Sequence, residues 1–179
     1  MTKESSKTLA KEHENILKVV EALNKECDKI EQGKEINEEF FKKVIDFIRN
    51  YADKFHHMKE EDILFKEFNR YGEENPGCLH CNPVEQMLVE HNEGRRLVKG
   101  MEESLDKGDK KGLIENSLSY VNLIKEHIFK EENILYPMID GVLNEEIEKE
   151  MLIEFKKISQ KNKDKEMKSL EMIEKLKNE

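Results

Sequence analysis

His56-His57-Met58-Lys59-Glu60-Glu61-Asp62-Ile63-Leu64-Phe65 is followed, 71 residues later, by His127-Ile128-Phe129-Lys130-Glu131-Glu132-Asn133-Ile134-Leu135-Tyr136. Both stretches read H-x-x-K-E-E-[DN]-I-L-[FY]. On a helix, residues four apart lie one above the other on the same face, so each copy can present an imidazole and a carboxylate to one point. That spacing suits a metal ligand pair, and it occurs twice.

Helical periodicity extends outward from both copies, and no convincing alternating strand interrupts it. A first helix is predicted from about Ser6 to Glu31, ending near Gly33, and Asn37 is placed to cap a second helix that reaches about Arg70. Tyr71-Gly72-Glu73-Glu74-Asn75-Pro76-Gly77 is breaker chemistry, and Pro83 suits the first turn of a third helix running to about Leu105. Gly108 and Asp109 mark the turn into a fourth, which ends around Pro137 to Gly141; Asn144 then caps one or two further amphipathic helices. The expected fold is all-α: an up-down-up-down antiparallel four-helix bundle over residues 1–142, with a C-terminal amphipathic helical extension over 143–179 packed on or beside it.

Composition narrows the function. With 40% charged and 36% apolar residues, only 3 prolines and a net charge of −9, the chain reads as one helical domain with an acidic, solvated surface. That balance argues against a nucleic-acid or anionic-membrane partner. The Lys-rich segment near 156–168 is interleaved with acidic residues and reads as a solvated face. No stretch approaches the roughly 20 apolar residues of a spanning helix, and no signal-peptide core opens the chain, so a cytoplasmic location is expected. Three cysteines are too few for a disulfide framework, in keeping with a reducing compartment.

Helical phase sorts the histidines. His56 shares its face with Ile45, Ile48, Ala52 and Ile63, whereas His57 shares its own with Arg49, Asp53 and Glu61; His56 is therefore expected inside and His57 outside. His13, His91 and His127 also lie on apolar stripes, so each bundle helix supplies one inward histidine. A single buried histidine is most often a core residue bonded to a backbone carbonyl. Glu60 and Glu131 resist that explanation, because a buried carboxylate without a partner costs several kcal/mol. Metal accounts for all six at once: His13, His56, Glu60, His91, His127 and Glu131. The donor set, nitrogen and oxygen without thiolate, suits iron, manganese or zinc, and six ligands suit two metals sharing carboxylates better than one closed tetrahedral site.

In this arrangement the chain resembles the hemerythrin-like, or HHE cation-binding, domains, over roughly residues 8–140. The resemblance rests on His13, on His56/Glu60, on Glu90-His91-Asn92-Glu93-Gly94-Arg95, and on His127/Glu131 followed by Ile134-Leu135-Tyr136-Pro137. It implies two iron ions in a non-haem, oxo- or hydroxo-bridged di-iron site, with His13 and His56 on one iron, His91 and His127 on the other, and Glu60 and Glu131 as bridges. It further implies a small ligand such as dioxygen, peroxide or nitric oxide, bound for sensing, storage or detoxification. Any enzymatic activity would be redox chemistry at the iron.

Oxygen-carrying members place two histidines four apart on the third helix; here Met87 and Arg95 flank His91 at those positions. A fifth ligand would come from His57, Glu61, His80 or water. Members that repair iron centres begin with a cysteine-containing extra domain, and no such segment precedes His13. Cys78-Leu79-His80-Cys81 offers at most part of a zinc site or a dithiol switch, and an ordinary reduced loop is the stronger reading. The competing functional class is an iron-responsive interaction module whose folding on metal is read by a protein partner.

Overall fold

The computed structural model describes residues 2–75 and 83–176. Among them are five helices and no strand: α1 (Glu4–Glu31), α2 (residues 38–74), α3 (Pro83–Lys107), α4 (residues 110–142) and α5 (Glu145–Leu176). The Cys78–Cys81 pair and His80 lie outside the described residues. No described helix is long and apolar enough to cross a membrane.

Local chemistry explains where the helices begin and end. The Asn37 side chain accepts from the Phe40 N–H, Asp109 from Gly112, and Asn144 from both Glu146 and Ile147, so each start satisfies donors that the helix itself leaves unpaired. Gly33 and Gly108 close α1 and α3 with φ of 96° and 64°, a left-handed backbone that glycine adopts without steric cost. The tail forms one long helix.

α1 packs against α2, α2 against α3, α3 against α4, and α4 back against α1, closing an antiparallel ring. α5 lies outside that ring, against α1 and α2. Its start is pinned where the Ser5 N–H and hydroxyl both donate to the Glu148 carboxylate, each at 2.8 Å. This satisfies an otherwise unpaired donor at the start of α1 and sets a carboxylate against the positive end of its dipole.

Two helices depart from α geometry. α2 is α-helical at Glu38–Phe47 and Phe65–Glu74 but π-helical over Ile48–His57 and Glu60–Leu64. α4 is π-helical over Glu131–Leu135, the same five positions of the repeated phrase. In α4 this segment ends two residues before Pro137, whose missing N–H removes an α-type bond in any case. Residues 48–64 contain neither proline nor glycine.

Candidate metal centre

The apolar core is divided in two. One cluster runs from Ile16 and Val20 through Val44 and Phe55 to Val98 and Ile124; the other gathers Leu9, Leu64, Phe68, Met87, Leu135 and Ile139. Between them lies a polar layer of His13, His56, His57, Glu60, His91, His127 and Glu131, all buried. Met87, at the position where another histidine was weighed, packs in the second cluster.

The ligand-type atoms of this layer form two groups, each with all its members within 4.8 Å of one another: His13, His56, Glu60 and Glu131 in one, His57, Glu60, His91 and His127 in the other. All six residues singled out from the sequence fall in these groups. Glu60 belongs to both: its Oε2 lies 3.6 Å from His56 Nε2 and 3.5 Å from His91 Nε2. Glu131 also spans them, with Oε2 3.2 Å from His13 Nε2 and Oε1 3.3 Å from His127 Nε2. The Nε2 atoms of His91 and His127 approach to 3.0 Å, two lone-pair positions converging on one point.

His57 corrects the phase argument. Its ring is 6% exposed and stacks on His91 with centroids 3.8 Å apart. An α-helix turns adjacent residues about 100° apart, but π geometry holds more residues per turn, and through this stretch it brings both His56 and His57 inside. Glu61, expected outside, is half-buried and acts on His91.

Carboxylates hold the outer nitrogens of the rings. Nδ1 of His13 donates to Glu132 at 2.9 Å, that of His56 to Glu12 at 3.0 Å, that of His91 to Glu61 at 2.7 Å, and that of His127 to Glu90 at 2.9 Å. Asp53 lies 3.5 Å from His57 Nδ1. Such pairing fixes the tautomer and leaves Nε2 free to face the centre. Behind these acids stand cations: Lys59 on Glu12, Lys130 on Glu90, and Arg95 on both Asp53 and Glu61.

The repeated phrase thus has repeated roles. Its histidine faces the centre, its lysine holds the acid that holds that histidine, its first glutamate spans both groups, and its second glutamate crosses to the other half. Glu61 holds His91, and Glu132 holds His13. The outer acids Glu12 and Glu90 were not foreseen, although the sequence carries a signal: Glu12-His13 and Glu90-His91 are themselves a doubled dipeptide. The symmetry breaks at His57, whose counterpart is Ile128, and at Tyr136, whose counterpart is Phe65; the Tyr136 hydroxyl donates to Glu60 Oε1 at 2.6 Å.

Electrostatics follow from burial and crowding. Burial, then the neighbouring Glu131 charge, pushes Glu60 well above the usual carboxylate range. Glu131 is buried too, but His127 and His13 hold it well below. Burial lowers His57 to about 3 and depresses His56 and His91, whereas Glu131 and Glu90 overcome burial to lift His127 to about 9. His91 and Arg95 overcome burial to bring Glu61 down to about 2. Despite these contacts, Glu60 Oε2 and both Glu131 oxygens make no hydrogen bond. Buried carboxylate oxygens without donors, ringed by imidazole Nε2 atoms, form a donor set that fits divalent or trivalent cations.

Fold and site together define a helical-bundle cation-binding protein with a paired histidine–glutamate centre. The chain belongs to the Hemerythrin HHE cation binding domain family, whose profile matches residues 5–139. No match was found among curated proteins or among solved structures.

Proposed function

We propose that the two groups hold a non-haem di-iron centre that binds dioxygen or a related small oxidant, peroxide or nitric oxide, in sensing, storage or detoxification. The observation that carries this reading is Glu60: a fully buried carboxylate shared by both groups, with one oxygen between His56 and His91 and no hydrogen bond to that oxygen. In this reading His13 and His56 serve one iron, His91 and His127 the other, Glu60 and Glu131 span both, and His57 supplies the fifth imidazole. Residues 1–142 form the metal-binding unit, and 143–179 its cover.

Iron in such a centre supplies redox and Lewis-acid chemistry. The chain supplies the rest. Glu12, Glu61, Glu90 and Glu132 orient the imidazoles, and Tyr136 occupies one oxygen of Glu60 so that the other faces the groups. The two apolar clusters keep bulk water from the layer, which strengthens every charge interaction inside it.

Metal analysis of the purified protein with an optical spectrum tests this. Two irons per chain and an absorption that responds to azide are expected; absence of bound iron after anaerobic reconstitution would overturn it. His56→Ala and His57→Ala should both lower the iron content, whereas iron loading that ignores His57→Ala would remove that residue from the set.

A further inference from the structure

The doubled phrase makes two sides of the bundle comparable, and α5 covers one of them. There it lies along α1 and α2, with Phe155 near the Lys59 ammonium and Ile63 bordering Met151 and Ile153. The corresponding positions of α4 carry no such helix: Phe129 stands for Met58, Lys130 for Lys59 and Ile134 for Ile63. Phe129 is 62% exposed, the one exposed aromatic side chain among the described residues, and Ile134 is exposed too. Val89 of α3, also 62% exposed, adjoins Glu90, which pairs with Lys130 beside Phe129, so both apolar groups flank one ion pair.

Six large apolar side chains are exposed among the described residues, and the other three, Ile153, Met167 and Leu170, all belong to α5. Ile153 and Met167 are fourteen residues apart, close to four whole turns, so they share the side of α5 that faces away from Phe155. Charge decides which faces can meet. Residues 153–170 hold six lysines against three carboxylates in a chain of net charge −9, and Lys156, Lys161, Lys163, Lys165 and Lys168 are exposed without an ion pair among the described residues. Beside Val89 and Phe129, Glu85 and Glu126 are exposed and unpaired against one unpaired cation, Lys125, because Lys130 and Arg96 are engaged by Glu90 and Glu93. Two α5 faces would set lysine against lysine, and two α3–α4 faces acid against acid; each face suits the other better than itself.

We propose that the α3–α4 face around Phe129 and Val89 docks the outer face of α5 from a second copy of this chain. The contact sets Met167 and Ile153 against Phe129 and Val89 and covers Lys130, giving the second half of the bundle the helix that the first half already has. Because the two faces differ and belong to different helices of the chain, the contact is head-to-tail, and copies add one to the next in a ring or a row. It consists of protein groups and does not depend on metal.

Sedimentation of the purified full-length chain over a range of concentrations tests this, and a mass that rises with concentration beyond the dimer is expected. Phe129→Arg, which places a cation where the lysines of α5 must dock, and the double variant Ile153→Gln/Met167→Gln, which strips the α5 face, should each weaken association about tenfold or more. Their melting temperatures should match the parent's, since all three side chains are exposed, which separates lost association from lost folding. Mixed in equal amounts, the two variants should form a one-to-one pair and stop there, because each supplies the face that the other has lost. A parent chain that stays monomeric at every concentration would overturn the proposal. So would mixed variants that remain apart, or a parent that halts at a dimer which mixing does not restore.

Discussion

Glu60 and Tyr136 show how one residue can be poor for the empty fold and good for a filled one. The Glu60 carboxylate is fully buried, is hydrogen-bonded at one oxygen only, and stands beside a second carboxylate. A neutral isostere loses little in such a place. Glu60→Gln should therefore leave the melting temperature of the metal-free chain unchanged or higher, and should erase the rise that added metal produces. Thermal melts with and without iron check this; an unchanged metal-dependent rise would contradict it.

The same crowding sets a pH dependence. Against burial, Glu131 and Glu90 lift His127 to about 9, so that it carries a proton at neutral pH in the metal-free centre, and Glu131 and Glu132 likewise strengthen the hold of His13 on its own. A cation must displace those protons, so affinity rises with pH and levels off above about 9. Competition with a chelator from about pH 6.5 to 9.5 should show that slope, and a flat profile would refute it. At this scale the sequence was legible for His13, His56, Glu60, His91, His127 and Glu131, because each stands on an apolar stripe of a helix. It was not legible for Glu12 and Glu90, whose role depends on a histidine and a lysine of another helix.

At the scale of the element, the π-helical stretches of α2 decide which histidines are available. Helix boundaries and caps could be read from Asn37, Gly33, Asp109 and Asn144, since capping is local chemistry. The π geometry could not, because nothing between residues 48 and 64 breaks an α-helix. Extrapolating α phase through that stretch set His57 outside, whereas π geometry brings it in beside His56. Deleting one residue there, for instance Asn50, should restore α phase and turn one histidine outward. The expected result is a chain of nearly unchanged helical circular dichroism and reduced metal content. Full metal content in that variant would show that the π geometry is not what recruits His57.

Across the whole molecule, α5 makes the two halves unlike. Lys59 is 1% exposed, with its ammonium 3.5 Å from the Phe55 ring and 5.9 Å from Phe155 of α5, while its counterpart Lys130 remains about one-third exposed. The family match ends at residue 139, so this cover lies beyond it. The amphipathic spacing of the tail announced a packed helix but not its seat, which depends on Phe155, Met151 and Ile173 meeting two separate clusters. Phe155→Ala should cost about 3–5 kcal/mol by cavity formation. Chemical denaturation measures that loss, and a change below about 1 kcal/mol would mean that α5 is only loosely seated.

The crossed acids, Glu61 on His91 and Glu132 on His13, have a further consequence. Each repeat steadies a histidine that belongs to the opposite group, so neither group can be ordered while the other is slack. Filling should then be all-or-none: a metal titration would climb through one steep transition with no half-loaded plateau, and the centre would empty in the same single step.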